Sequence, residues 1–187
     1  MNFPEKTLLT KDGRRCLLRP AAPRDAAALI AYMKTTAGET HFLLRYPDEV
    51  CFTAAQEEAL LAELLAEPRA AMMVAEVDGA LAGCASFRGA GPQRKVRHRC
   101  RLAIALYRAF WGLGIGAAMV RYLKELAGQA GYTQMDLEVY ADNPAGLALY
   151  RSCGFTETGR LHNAVRLDDG SYRDYIMMYA DIDRTDK

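Results

Sequence analysis

From Leu102 to Tyr122 the chain reads L-A-I-A-L-Y-R-A-F-W-G-L-G-I-G-A-A-M-V-R-Y: an apolar run, three glycines alternating with Leu113 and Ile115, then a helical pattern. A strand that enters a glycine-rich turn and leaves it as a helix has backbone N–H groups without intrahelical partners. They point one way, with the positive end of the helix dipole behind them. Gly112, Gly114 and Gly116 let the backbone take positive φ and let an anion approach with no Cβ in the way. Without a ligand the same residues make a tight turn; their alternation just ahead of a helix favours a phosphate cradle.

At 187 residues the chain is long enough for one well-buried domain and short for two, so residues 1–187 are read as one domain. A hydrophobic fraction of 51% with 25% charged residues is that of a soluble globular protein. The 24 basic and 23 acidic side chains leave a net charge of +1, which gives no support for general nucleic-acid or membrane-surface binding. Cys16, Cys51, Cys84, Cys100 and Cys153 are scattered and never in C-x-x-C spacing, as expected of reduced, mostly buried thiols. The N-terminal stretch has no apolar targeting core and no run is long enough to span a membrane, so a cytoplasmic protein is expected.

Along the chain, Thr7–Thr10 and Arg14–Arg19 flank the turn Lys11-Asp12-Gly13, and a helix starts at Arg24, with Asp25 in its first turn. The segment 38–50 lacks a period, which marks a loop or short helix of the kind that meets substrate. Thr53-Ala-Ala-Gln56 is a capping box opening a helix that Pro68 stops. Ala70–Val77 and Ala80–Arg88 are strands joined by Asp78-Gly79, and Lys95–Tyr107 reads as one long strand feeding the glycine loop. The helix after the loop ends near Gly128–Gly131. Met135, Leu137 and Val139 then alternate with Asp136, Glu138 and Tyr140 as a strand, Asn143-Pro144 opens a short helix, and Phe155–Leu167 and Tyr172–Ala180 close the chain as strands.

The loop fits two larger patterns. Gly112-x-Gly114-x-x-Ala117 matches the dinucleotide fingerprint, with Asp136 or Glu138 where a ribose partner belongs, which implies a nucleotide-binding oxidoreductase. Against it, Tyr107–Trp111 separates the strand from the glycines, and antiparallel hairpins flank the unit. Taken instead with Leu137-Glu138-Val139, Asn143 and Leu149-Tyr150-x-x-Cys153-Gly154-Phe155, the loop resembles the GNAT superfamily of N-acetyltransferases. Within it the chain is most similar to the branch of the ribosomal-protein N-terminal (alanine/serine) acetyltransferases. The resemblance runs from the Asp78 hairpin to Gly170-Ser-Tyr172-Arg-Asp174-x-x-Met177, with one departure: Trp111 stands where the family carries Gln or Arg.

The resemblance implies an α/β protein of the GNAT fold, a twisted mixed sheet of about seven strands with about four helices. Two parallel strands, Arg101–Leu106 and Met135–Tyr140, would splay to admit the pantetheine arm of acetyl-CoA. It implies that Trp111, Gly112, Leu113, Gly114, Ile115, Gly116 and Ala117 hold the pyrophosphate, that the backbone at Leu106 pairs with the acetyl end, and that Asn143 holds the middle of the arm. It implies no metal. The acceptor would be a protein N-terminus or a small-molecule amine, and a homodimer is a family-level expectation. A non-catalytic acyl-CoA sensor on the same fold is the alternative.

Acetyl transfer needs a neutral amine and a proton for the departing thiolate. A lysine-like amine, pKa about 10.4, is neutral about once in 2,500 molecules at pH 7, whereas an α-amine near 7.7–8.0 lies only about 1 kcal/mol away. Glu138 is the candidate base, since a strand buried on both faces would be continuously apolar and this one is not; the resembling enzymes carry a glutamate there. Tyr150 is the expected acid. Asp136 and Glu138 could otherwise line a half-exposed face, and Tyr150 could pack under the sheet. Cys100 shares a strand face with Leu102 and Ile104 and reads as core rather than nucleophile. His41, His98 and His162 lack metal-ligand spacing, His41 being a substrate-site candidate by its place in the irregular segment. Arg97, Arg99 and Arg101 alternate along one strand face, which reads as solvated. Tyr172, Asp174 and Tyr175 are candidate acceptor walls.

Overall fold

The computed structural model describes residues 1–182. In chain order they form β1 (Lys6–Leu9), β2 (Arg15–Pro20), α1 (Ala26–Glu39), α2 (Ala54–Ala66), β3 (Ala71–Val77), β4 (Ala80–Gly89), β5 (Arg99–Leu106), α3 (Ile115–Gln129), β6 (Gln134–Tyr140), α4 (Pro144–Ser152), β7 (Thr156–Arg166) and β8 (Tyr172–Asp181). The strands make one open sheet in the order β1-β2-β3-β4-β5-β6-β8-β7. Every neighbouring pair is antiparallel except β5 with β6. That topology overturns the dinucleotide reading, which requires a series of parallel strands.

Alternate residues of β3 and β4 face opposite layers, as the two-residue period of a strand requires. Val74 and Cys84 pack with Leu29 and Tyr32 of α1 and Leu61 of α2. Met73, Ala85 and Phe87 pack with Ile115, Met119 and Leu123 of α3. The capping box at α2 forms as expected: Gln56 N–H donates to Thr53 Oγ1 at 3.2 Å, and Thr53 N–H donates to Gln56 Oε1 at 2.9 Å.

Several expectations change. The sheet has eight strands rather than about seven, because the Lys11-Asp12-Gly13 turn closes a hairpin, with Thr10 N–H on the Arg14 carbonyl at 2.9 Å. The strand expected over Lys95–Tyr107 begins only at Arg99, after a 3-10 turn at Arg94–Val96. Its neighbours explain this: β4 ends at Gly89 and β6 begins at Gln134, so residues ahead of Arg99 have no ladder to join. Asp25 does not sit free at a helix start; it pairs with the buried Arg19 at 2.7 Å and accepts the Ala22 N–H at 2.8 Å, and Arg19 also reaches Glu76.

The sheet opens at its single parallel junction. β5 and β6 keep register only at Arg99/Gln134, Cys100/Met135 and Arg101/Asp136. Beyond these, β5 follows β4 to Leu106 while β6 follows β8 to Tyr140. The register of β4 on β3 slips between Ala75 and Glu76, a bulge of the kind that bends a strand. Next to it the Tyr32 hydroxyl donates to the Ala105 carbonyl at 2.6 Å and accepts from Cys84 N–H at 3.2 Å. Gly83 is obligatory here, since a Cβ would lie 2.7 Å from the Ala105 carbonyl oxygen.

Candidate active site

A cavity of about 1200 Å³ passes through the opening, lined by both faces of β5 beyond Arg99 and of β6 beyond Asp136. Leu102, Leu106 and Leu137 meet it on the α3 side together with Trp111, Gly112, Gly114, Gly116 and Ala117 from the loop and Asn143, Leu149 and Tyr150 from α4. Arg101, Ala103, Asp136, Glu138 and Tyr140 meet it on the opposite face, where Thr40, Phe42 and Leu44 cover it.

The glycine loop has the geometry its sequence demands. Gly112 and Gly114 take φ of 76° and 86°, and Gly114 is the left-handed residue from which α3 starts. The first turn of α3 therefore presents its unpaired N–H groups toward the cavity end of the loop. Gly116 lets the helix lie close, since an added Cβ would stand 3.3 Å from side-chain atoms of both Leu106 and Leu149. Leu113 and Ile115, expected in the cradle, do not line the cavity: Ile115 is fully buried, and Leu113 packs against the core while its carbonyl accepts Lys11 N–H at 3.0 Å. That bond brings Lys11 to the cavity rim beside Gly114, adding a cation where an anion would sit. Nothing in the K-D-G turn signals this; the placement depends on a contact across about a hundred residues of sequence, from Lys11 to Leu113.

Trp111 lies at the same rim, 40% exposed, its indole N–H donating to the Leu106 carbonyl at 2.9 Å. Asn143 caps α4 through its side-chain oxygen, which accepts Gly146 N–H at 2.9 Å, so its amide NH₂ is the end left for the cavity. Gly146 permits this: a Cβ there would lie 2.8 Å from the Asn143 amide nitrogen. Tyr150 lines the cavity with its ring against Phe155, and burial pushes its hydroxyl up to about 12.

On the opposite face Asp136 and Glu138 differ in environment. Asp136 is held by Arg99 at 2.6 Å and by Gln134 at 2.7 Å. Glu138 is exposed to the cavity and has no side-chain partner among the described residues. Tyr140 and Tyr175 pack edge to face beside it with ring centres 4.9 Å apart, and Phe42 is 5.9 Å from Tyr140.

Some expected site residues lie elsewhere. The basic run divides: Arg97 is exposed and falls outside β5, next to the 3-10 turn, while Arg99, half-buried, and Arg101, still exposed to solvent, line the cavity. Tyr175 is a cavity wall, but Tyr172 packs over Arg166, and Asp174 is used inside the terminal hairpin by Arg160, His162 and Asn163 N–H. His41 binds Asp142 at 3.0 Å and leaves the cavity to its neighbours Thr40 and Phe42. Cys100 is core, its thiol pushed up to about 12 by burial. Among the described residues no cluster of His, Cys, Asp and Glu is placed to hold a metal, and no helix is long and apolar enough to cross a membrane.

An open mixed sheet parted at one parallel pair thus carries a helix start suited to an anion on one face and, on the other, a carboxylate unpaired among the described residues. Residues 32–155 match the acetyltransferase (GNAT) family, and the chain belongs to it. Its fold is shared with a GNAT-family acetyltransferase from Streptococcus pneumoniae, 25% identical over 90% of this chain and 99% of that one, with a TM-score of 0.85. It is likewise similar to the ribosomal-protein-alanine N-acetyltransferase of Brucella melitensis, 26% identical over 88% of this chain and 98% of that one, TM-score 0.77. An acetyltransferase-fold protein of Salmonella typhimurium, solved with its cofactor acetyl-CoA, is 21% identical over 91% of this chain and 95% of that one, with a TM-score of 0.79. Comparison with curated proteins gives no match. The protein is thus an acetyltransferase of the GNAT family.

Proposed function

We propose that the protein transfers acetyl directly from acetyl-CoA to a primary amine, with Glu138 as base and Tyr150 as acid. The observation that carries this is their placement on the two faces of one opening: Glu138 on the free side of β6, Tyr150 on α4 beside the glycine loop. The loop from Trp111 to Ala117 holds the pyrophosphate, Asn143 donates to the pantetheine arm, and the backbone at Leu106 meets its acetyl end.

The amine nitrogen attacks the thioester carbon, a C–N bond forms and the C–S bond breaks. Glu138 takes the proton the amine loses, directly or through a water, and Tyr150 gives one to the departing thiolate. With its hydroxyl pushed up to about 12, Tyr150 keeps that proton throughout the physiological range. Its proton is restored from Glu138 through solvent, so the products are amide and free thiol. The acceptor is a protein N-terminus or a small-molecule amine. The Brucella melitensis enzyme is named for an acceptor of the first kind, ribosomal-protein alanine.

The test is thiol release from acetyl-CoA with a panel of N-terminal peptides and small amines. Acetylation of an amine that Glu138→Gln slows by about 100-fold, with acetyl-CoA KM little changed, is the expected result. Binding of acetyl-CoA with no acetylated amine in the whole panel would instead make the protein an acyl-CoA sensor.

A further inference from the structure

Arg101 faces the cavity from β5 with no ion pair or side-chain hydrogen bond among the described residues, and Glu138 does so from β6. The neighbouring charges on this floor are already matched, since Arg99 holds Asp136 at 2.6 Å. Strand β4 sets Arg88 in register beside Arg101, but Arg88 has the carboxylate of Glu57 on α2 within electrostatic reach, which leaves Arg101 as the cation on this floor without a partner among the described residues.

We infer that Arg101 anchors an acid group of the acceptor, which is a small zwitterion of the amino-acid class with its amine at Glu138 and its carboxylate at Arg101. The inference rests on Glu138 marking the acceptor side. Register sets the spacing: Arg101 is opposite Asp136, and Glu138 lies two residues farther along β6 on the same face. With strands about 4.8 Å apart and about 3.3 Å of rise per residue, their Cα atoms are roughly 8 Å apart before the strands part. Two long side chains converging over that distance match an amine and a carboxylate a few bonds apart. Phe42, Tyr140 and Tyr175 stand beside Glu138 as an apolar wall for the acceptor's side chain.

Selectivity follows from desolvation. A neutral acceptor, whether an amino-acid amide or a peptide N-terminus, strips water from the guanidinium without replacing it, whereas a carboxylate forms a charge-assisted pair with it. Intrinsic reactivity points the other way: the free amino acid has the more basic amine, less often neutral near pH 7.5 than that of its amide. A preference for the acid is therefore a binding effect.

The experiment measures kcat/KM for a series of α-amino acids, each beside its primary amide and a tripeptide with the same first residue. The expected acid-to-amide ratio is about tenfold or more in the wild type, about one in Arg101→Gln and intermediate in Arg101→Lys. A wild-type ratio near or below one, a preference for the tripeptide, or a ratio that survives in Arg101→Gln would overturn the inference. Should no amine be acetylated, the transferase mechanism above fails separately. Thermal shift of the coenzyme-A-bound protein with acid against amide then still decides: stabilisation by the acid in the wild type and not in Arg101→Gln supports the anchor, and equal or absent shifts refute it.

Discussion

The indole N–H of Trp111 donates to the carbonyl of Leu106 at 2.9 Å, tying the glycine loop back to the last residue of β5. A carbonyl has two acceptor sites, so this bond fixes the loop's entry and leaves Leu106 able to accept another donor. Trp111→Phe keeps the ring and deletes the bond, worth about 1 kcal/mol. The expected result is an acetyl-CoA KM raised about fivefold with kcat within twofold; a KM that falls would show that the indole competes for the carbonyl instead.

Tyr150 carries a second prediction. Tyr150→Phe removes the hydroxyl proposed as proton donor while keeping the ring against Phe155. A fall in kcat of about 100-fold is expected, with the acetyl-CoA KM nearly constant. Because the hydroxyl is pushed up to about 12, the wild type should show no loss of rate from this group as pH passes 10. Rate profiles of the two proteins between pH 7 and 10.5 read both effects, and an unchanged kcat refutes the acid role.

Gly146 and Asn143 form a linked pair. The Cβ introduced by Gly146→Ala would lie 2.8 Å from the Asn143 amide nitrogen, forcing the cap out of place. Loss of the cap should lower stability by about 1 kcal/mol, a Tm shift of roughly 2–4 °C for a chain of this size. Calorimetry measures that shift, and a severalfold rise in acetyl-CoA KM should accompany it if the displaced amide serves the coenzyme.

Thiol chemistry separates Cys51 from the rest. Cys16, Cys84, Cys100 and Cys153 are buried and Cys51 is exposed. Burial pushes Cys16 up to about 11, and Cys84 and Cys100 up to about 12. A thiol titration should find one group reacting promptly in the native protein and five in denaturant. The raised values also set a sign: the folded state favours the neutral thiols, so their contribution is complete below the ordinary value of 9.0 and is lost as pH climbs toward 12. Denaturant midpoints should fall over that interval.

Asp174 acts at the acid end. The Asn163 N–H first, then Arg160, hold its carboxyl down at about 2. A depressed carboxylate contributes stability that is present above its ordinary value of 3.8 and lost as pH falls toward 2. Protection of the Asn163 amide, measured against the intrinsic exchange rate at each pH, should therefore fall between pH 4 and 2 at a residue whose φ of 53° this bond secures. In Asp174→Asn that protection should already be low at pH 6 and change little over the acid step.

What could be read from sequence was local. Thr53 with Gln56, and Gly112 with Gly114, each act within a few residues, through a cap or a positive φ, and each appears where its residue types require. Glu138 and Tyr150 were legible as positions in a resembling pattern. The lengths of strands were less so: β5 starts at Arg99 because its partners begin and end there, and no residue of the run from Lys95 carries that information.

The charges of the parted sheet were hidden for the same reason. Arg101 belongs to an alternation that suits a solvated strand equally well, and it becomes part of a cavity only because β5 leaves β6 just beyond it. Lys11 reaches the glycine loop through a backbone bond between segments far apart in the chain, and Asp174, a good candidate for the pocket by position, is consumed by its own hairpin. Backbone dihedrals and caps are properties of short stretches and are written in residue types. Where two strands part, and which charges that parting leaves without partners, is a property of the whole sheet and exists only once it has assembled.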